Sequence, residues 1–363
     1  MAVRVYLKQA WNLMKQNPLF STLYIVGTGI SIVMTMVIAI VYYVRLAPVY
    51  PETNRMRTLV VKSAKMTNDE STHSANISYA MLKDWFYSLE SAEVSTGVSG
   101  TSYARVTNDK EEIPTYARYT DENFFRVFPL VFLEGKPFTE ADRRSGIHNV
   151  VLTDSYAQQL FGTTKGVVGK NFLMDYTNVK VVGVVKSGSF LTPDSYAQVY
   201  LPYSCRDGYD DEGSHWALGG YRVYILMKES KSVTDVQDEV LELVRKFNVS
   251  DMGDGWKLDL VGQPELYWHS TFRLWSNVAV DWGRVIWMFV GIFMVLLFVP
   301  AFNLSGMISA RMERQLPDLG IRKAFGASRR RLLVQIIWEN LLLTGLGTLL
   351  GLVIALSLIH ISE

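Results

Sequence analysis

Long apolar runs and stretches of mixed polarity alternate along this chain. No charged residue occurs from Gln16 to Val44 or from Val285 to Ala310, and a third apolar run extends from Leu341 to Ile359. A helix of about 20 apolar residues can cross a hydrocarbon core roughly 30 Å thick. The pattern therefore predicts three transmembrane helices, which we place at residues 19–44, 285–310 and 336–359.

The stretch between the first two apolar runs, residues 45–284, has the mixed composition of a folded water-soluble domain. A stripe of apolar residues at helical spacing predicts a helix over Ile77–Leu89, with Asn76 or Ser78 as its N-cap. Ser232 precedes a second stripe of the same kind, which predicts another capped helix.

Short apolar segments in the same stretch predict strands. Val150–Leu152 is followed by Thr153 or Asp154 as the cap of a helix that stops at Gly162. Further strands are predicted at Val179–Val185, Tyr221–Met227 and Trp256–Val261. The predicted fold class is an integral membrane protein with α-helical transmembrane spans and a large α+β extracytoplasmic domain.

Residues 1–18 precede the first span. Leu7, Ala10, Trp11 and Met14 are spaced to share one face of a helix, and basic residues take the other side. Such a cytoplasmic amphipathic helix suits a membrane interface, although the same residues also fit a fraying tail. Because the first apolar run exceeds the core of about 7–15 residues found in signal peptides, we predict an anchor that is not cleaved.

Basic residues determine the predicted orientation. Bases without acids precede the first span, and the segment 311–335 is again rich in bases, with only Glu313 and Asp318 as acids. The basic residues of these two segments are Arg4, Lys8, Lys15, Arg311, Arg314, Arg322, Lys323, Arg329, Arg330 and Arg331. Short loops rich in Lys and Arg stay in the cytoplasm. Residues 45–284 are therefore expected outside the membrane.

The charge and the cysteine content of the chain argue against nucleic-acid binding and exclude an intramolecular disulfide. The chain has 36 Lys and Arg against 35 Asp and Glu, a net charge of +1, which argues against binding to the phosphates of nucleic acid. Cys205 is the single cysteine and cannot form an intramolecular disulfide. Its polar neighbours predict an ordinary surface thiol.

No catalytic, cofactor or metal motif is found in the sequence. The segment Gly166–Lys170 comes nearest to a phosphate-binding loop, but Thr164 and Asn171 stand where that loop needs Gly and Ser or Thr. The hydrolase and metalloprotease motifs Gly-x-Ser-x-Gly and His-Glu-x-x-His do not occur. We therefore predict a protein that is not an enzyme and holds no cofactor or metal.

The segment 311–335 is the most informative part of the chain. Gly320 and Gly326 bracket one or two helical turns with an apolar and a charged side. Such an element can insert Ile321 and Phe325 into a groove on a partner protein. The alternative is a basic loop that only fixes topology. The candidate coupling residues are Asp318, Gly320, Ile321, Arg322, Lys323, Ala324, Phe325, Gly326 and Ala327.

The run from Glu313 to Ser328 resembles the cytoplasmic signature of MacB/FtsX-type ABC transporter permeases, with Asp318 where those proteins usually have Glu. Segments of residues 45–284 resemble the periplasmic core of the same family. They are Asn123–Phe128, Leu133–Phe138, Leu160–Gly162, Val167–Lys170 and Val181–Val185. The likeness covers nearly the whole chain.

This resemblance implies a permease subunit of the bacterial inner membrane with its large domain in the periplasm. It implies a dimer that binds separate cytoplasmic ABC ATPase subunits at the coupling loop, contacts membrane lipids and acts on a periplasmic partner or substrate. ATP-driven motion would serve export, efflux or periplasmic mechanical work. The family has four spans and this sequence has three. Residues 356–363 look like translated sequencing adapter, so we expect a C-terminally truncated permease; the alternative is a genuine three-span protein.

Two further hypotheses remain open. Gly347 and Gly351, four residues apart in the third span, give a flat helix face that predicts close helix packing. A membrane-tethered sensor or binding module is the alternative function for the whole chain, although a sensor would be expected to continue into a cytoplasmic signalling domain.

Overall fold

The structure is a computed structural model that describes residues 8, 11–12, 14–15, 18–100, 102–107, 112–210, 216–250, 255–326 and 328–362. It divides into two compact units. One unit, the helical unit, consists of Met1–Tyr43 and Trp282–Glu363, and the other, the α+β domain, of Val44–Asp281. The predicted amphipathic helix at residues 1–18 lies largely outside the described residues; Lys8, Trp11, Asn12, Met14 and Lys15 are helical.

Helices and strands are numbered in chain order. The helices are α1 Pro18–Leu46, α2 Tyr79–Asp84, α3 Phe124–Val127, α4 Glu140–Arg144, α5 Asp154–Phe161, α6 Val233–Val249, α7 Trp282–Ala324 and α8 Arg329–Ser362. Short 3-10 turns occur at Phe86–Ser88, Tyr203–Cys205 and His269–Phe272.

The strands all lie in the α+β domain. They are β1 Thr58–Val61, β2 Ala64–Thr67, β3 Thr72–Ile77, β4 Ala92–Ser99, β5 Ser102–Thr107, β6 Glu112–Thr120, β7 Phe132–Gly135, β8 Asn149–Thr153, β9 Asn171–Met174, β10 Thr177–Val185, β11 Val199–Pro202, β12 Leu218–Gly219, β13 Tyr221–Met227, β14 Lys257–Asp259 and β15 Glu265–Leu266.

The helical unit contains α1, α7 and α8. Among the described residues, two stretches are long and apolar enough to cross a membrane, Ser21–Leu46 in α1 and Leu332–Ser357 in α8. A shorter apolar stretch, Trp282–Leu296, begins α7.

The segment 311–335, predicted as a cytoplasmic coupling loop that contains one or two helical turns, is mostly helical. The helix α7 continues through the predicted boundary at residue 310 to Ala324, and α8 begins at Arg329. The physical reason is that Arg and Leu, which recur in this segment, are good helix formers. The charge of the arginines raises the polarity of the segment without weakening its helix.

The first sheet of the α+β domain is centred on β13, which pairs antiparallel with β1 and β4. Val223 and Ile225 face a core formed with α2 and α6, whereas Tyr224 and Leu226 face a second core that contains Phe128. Both faces of the predicted strand are therefore buried, which explains its nearly continuous apolar sequence.

The second sheet closes on itself. The described strands β10, β8, β11, β6, β5 and β9 pair in that order, and β9 pairs back with β10, while β7 flanks β10. Its core contains small and branched side chains of the strands, and Tyr156 and Leu160 of α5 pack against them. A closed ring leaves few free strand edges.

Several local predictions for this domain are confirmed. Ser78 caps α2 by accepting the Met81 N–H, and Thr153 caps α5, which ends at Gly162 in the left-handed region. Ser232 caps α6 and forms a capping box with Asp235 that the sequence analysis did not identify.

Candidate coupling site

The candidate coupling residues lie where α7 turns into α8. Phe325 N–H donates to Ile321 O at 3.0 Å, and Gly326 N–H donates to Lys323 O at 3.0 Å. Gly326 has a φ of 88°, in the left-handed region that glycine adopts without a steric penalty, and it ends the helix. The glycine thus ends α7 with a hydrogen-bonded turn.

Two apolar side chains at this turn are strongly exposed. Ile321 is 57 % exposed and Phe325 is 88 % exposed. They are four residues apart, about one helical turn, and so share one side. Gly320, Lys323 and Ala324 are also exposed. The side chains of Asp318 and Arg322 and the placement of Ala327 lie outside the described residues.

The first turn of α8 carries positive charge. Arg329 and Arg330 are exposed there, and no acidic residue occurs in that turn. A helix N-terminus already carries a partial positive charge, so bases at this end destabilise the helix unless anionic groups lie nearby. Carboxylates of a partner protein or lipid phosphates would supply such groups. The turn therefore combines an apolar pair with a basic rim.

Gly347 and Gly351 lie where α8 approaches α1. A Cβ atom added to Gly347 would lie 2.7 Å from the Thr28 Cβ atom, and one added to Gly351 would lie 2.8 Å from Gly29 O. Tyr24 OH and Thr344 Oγ1 form a hydrogen bond of 3.0 Å in the same contact. Only a residue without a Cβ atom fits at either position at this helix separation.

The substitution Gly351→Leu should destabilise the helical unit by about 1–3 kcal/mol, the usual cost of overpacking. The reason is that the backbone oxygen of Gly29 cannot move aside as a flexible side chain would. The midpoint of unfolding in an SDS titration, followed by circular dichroism, measures the effect.

Gly345→Leu is the matched control, because a Cβ atom at Gly345 would meet nothing within 4 Å. Equal midpoints for the two variants would contradict the packing role of Gly351.

A buried acid that the sequence analysis missed, Glu52, lies six positions after Leu46, the last residue of α1. Glu52 Oε1 accepts hydrogen bonds from Ser195 Oγ at 2.7 Å and from Tyr267 OH at 2.9 Å. Its other oxygen pairs with buried Arg55, whose Nη1 donates to Val44 O at 2.7 Å. Val44 lies in the last turn of α1, where carbonyl groups lack helical partners.

The Glu52 cluster therefore ties three segments of the α+β domain together. They are the chain that leaves α1, the loop between β10 and β11, and the residues that follow β15. No sequence signal pointed to Glu52, because its partners Ser195 and Tyr267 lie far along the chain. The sequence shows only that Glu52 and Arg55 are three positions apart. Such a spacing of an acid and a base is common and does not indicate a buried pair.

A second buried acid, Asp194, lies in the loop between β10 and β11 that also contributes Ser195. Asp194 lies 3.5 Å from Lys62 Nζ and 3.1 Å from Arg222 Nη1. Burial raises the pKa of Asp194, but the positive charges of Lys62, Arg222 and Arg118 outweigh that effect and lower it to about 2. The loop is thus held by ionised groups from β13, β6 and the β1–β2 turn.

The part of the chain that the structure describes contains no group of three or more His, Cys, Asp or Glu residues placed to hold a metal ion. Cys205, predicted as a surface thiol, is partly exposed. Burial raises the pKa of the Cys205 thiol to about 12, which leaves it protonated at neutral pH and weakly nucleophilic.

Comparison with protein families gives two matches. The family model of the MacB-like periplasmic core domain matches residues 20–243. The family model of the FtsX-like permease C-terminal region matches residues 277–362, which include the candidate coupling residues.

Similar proteins include a pyoverdine export ATP-binding/permease protein PvdT from Pseudomonas entomophila (strain L48), 26% identical over 235 residues, with 63% of this chain and 34% of that protein covered. The macrolide export ATP-binding/permease protein MacB of Escherichia coli O157:H7 is 21% identical over 253 residues, with coverages of 69% and 36%. The chain thus spans about a third of the length of the curated relatives it matches.

Among solved structures, the periplasmic region of MacB from Actinobacillus actinomycetemcomitans has a TM-score of 0.40 and 17% identity, covering 55% of this chain and 88% of that one.

Proposed function

The chain belongs to the family of MacB/FtsX-type ABC transporter permeases, and from that premise we propose that it transmits ATP-driven motion from a cytoplasmic ATPase to the α+β domain in the periplasm. The observation that carries the proposal is the exposed pair Ile321 and Phe325 at the turn between α7 and α8. A surface that only contacts solvent has no use for two apolar side chains at a basic turn. In a groove on a partner protein, the same side chains would become buried contacts.

The length of α7 supports transmission of motion. This helix has 43 residues and extends from Trp282, directly after the α+β domain, to Ala324 beside the exposed pair. At 1.5 Å per residue it is about 65 Å long, roughly twice the hydrocarbon thickness of a bilayer. A displacement at Ala324, the residue before Phe325, would therefore be passed along one helix to Trp282.

The polar groups of α1 fit mechanical work better than solute conduction. Ser31 Oγ donates to Gly27 O and Thr35 Oγ1 donates to Ser31 O, each at 2.9 Å. These hydroxyl groups use their protons within their own helix. They offer a polar solute only weak acceptor sites along α1.

We further propose that the chain works as a dimer in the bacterial inner membrane, crosses it several times and carries no catalytic site of its own. A substrate or partner protein acts with the α+β domain in the periplasm. The similar export proteins PvdT and MacB are named as ATP-binding/permease proteins, whereas for this permease we propose that the ATPase is a separate subunit.

Labelling in intact cells tests the proposed orientation. In a Cys205→Ser background, Tyr176→Cys should react with a membrane-impermeant thiol reagent, because Tyr176 is 84 % exposed in the α+β domain. Ser328→Cys, at the turn before α8, should react only after the cells are opened. Labelling of Ser328→Cys and protection of Tyr176→Cys in intact cells would overturn the orientation.

A further inference from the structure

A short segment before α7 exposes apolar side chains. Leu274 is 67 % exposed and Trp275 is 66 % exposed, and Val278 is also exposed. No charged residue occurs from Leu274 to Val280. Large apolar side chains that lie together on a surface mark a contact with another molecule or with a membrane.

The backbone of this segment is held from inside the domain. Buried Arg273 donates from Nε to Glu265 Oε1 at 2.7 Å and from Nη1 to Val278 O at 2.5 Å. Ser63 Oγ donates to Ser276 O at 2.5 Å. Three carbonyl or carboxylate groups thus find their donors within the protein.

These hydrogen bonds have a consequence for the surface. The loop satisfies Val278 O and Ser276 O internally, so these groups do not need water. Carbonyl groups that are paired internally can enter an apolar environment without the cost of unpaired groups. Its conformation is also fixed in advance, which lowers the entropy lost on binding.

The position of the segment along the chain indicates what covers it. Three residues separate Val278 from Trp282, the first residue of α7. At no more than about 3.6 Å per residue, Val278 lies within roughly 15 Å of the start of that helix. The family places this helix in the FtsX-like permease region.

The Glu52 cluster also connects this part of the chain to the end of α1. Tyr267, six residues before Arg273, donates to Glu52, and Arg55 beside it donates to Val44 O in the last turn of α1. Within the α+β domain, the segment is therefore linked to the end of a candidate membrane span on one side and leads into α7 on the other. Both neighbours belong at the outer surface of the membrane.

We propose that Leu274, Trp275 and Val278 form an interfacial anchor that inserts into the outer leaflet of the phospholipid bilayer. Tryptophan favours the boundary between headgroups and acyl chains, and Leu and Val favour the acyl chains. The absence of charge between Leu274 and Val280 fits lipid rather than an acidic or basic protein surface. The anchor would hold the α+β domain at a fixed height while α7 moves. The proposal rests on the membrane placement of α7 and α1.

Spin labelling of the full chain in bilayer nanodiscs tests the anchor. In a Cys205→Ser background, a label at Asn277→Cys keeps all three apolar side chains, and Asn277 is exposed. Collisions with oxygen, which concentrates in lipid, and with a water-soluble nickel chelate report the depth of the label. We expect Asn277→Cys to be protected from nickel relative to Tyr176→Cys, and adding Leu274→Ser and Trp275→Ser should shift it toward the nickel accessibility of Tyr176→Cys.

Control labels distinguish insertion into lipid from exposure to water and from contact with a second copy of the chain. Val37→Cys, on an exposed position of α1, should be protected from nickel; if it is not, the membrane placement of α1 fails and the proposed function with it. If Val37→Cys is protected but Asn277→Cys matches Tyr176→Cys, the anchor alone is overturned. Spin–spin broadening at Asn277→Cys that disappears on dilution with unlabelled chain would assign the segment to a second copy and likewise overturn the proposal. Retained depth after the two serine substitutions would show that these side chains do not insert.

Discussion

Glu52→Ala should destabilise the α+β domain by about 3–5 kcal/mol, the cost of removing one partner from a buried ion pair. The side chains of Glu52 and Arg55 are almost completely buried. Without the carboxylate, Arg55 keeps its hydrogen bond to Val44 O but leaves a positive charge uncompensated in the interior. Tyr267 OH also loses its acceptor.

Native-state hydrogen exchange of the full chain measures this loss. The amides of β1, which pair with β13 in the centre of the first sheet, should exchange faster in the variant. Glu229→Ala is the matched control, because Glu229 also pairs with an arginine, Arg57, but its side chain is 83% exposed. Exposed pairs contribute little to stability. Similar exchange rates in the two variants would contradict the structural role of Glu52.

Phe325→Ala should weaken binding of the ATPase by about 2 kcal/mol or more, which corresponds to roughly 30-fold in Kd. The reason is that a large aromatic side chain, 88 % exposed in this chain, would be the central buried contact in the groove of the partner. Lys323→Ala should weaken binding only slightly, and the effect of Lys323 should shrink as salt is added, because a rim charge remains partly solvated. Titration of the purified ATPase onto the chain in nanodiscs measures both.

Leu316→Ala provides the control for Phe325. Leu316 is also exposed, at 60 %, but it lies nine residues earlier and so on the opposite side of the helix. Both variants should insert normally, because the bases that fix orientation remain. If Phe325→Ala binds the ATPase as tightly as wild type, the turn is a topological signal and the docking proposal fails.

Much of the α+β domain could be predicted because its signals are local. The helix between Thr153 and Gly162 has its cap, its apolar stripe and its C-terminal glycine within ten residues, and the structure has all three. Ser232 and the stripe that follows it gave α6 in the same way. Strand β13 was also evident from composition, although its burial on both faces depends on the two cores around it.

The features that the sequence did not predict depend on distant contacts. The ring in the second sheet closes through pairing of β9 with both β5 and β10, which no local pattern encodes. Glu52 joins residues more than 140 positions away. The first charged residue after Ala310 marks the end of a predicted membrane span, but it does not end α7, because Lys and Arg also favour helix.

The direct test of the central claim is photocrosslinking in living cells. A photoreactive benzoylphenylalanine in place of Phe325 keeps an aromatic side chain at this position, and mass spectrometry identifies whatever protein it captures. We predict a crosslink to an ABC ATPase at Phe325 and its absence at Leu316, on the opposite side of the helix. Crosslinks to lipid alone at Phe325, or the same products at both positions, would contradict the claim that this turn couples the permease to an ATPase.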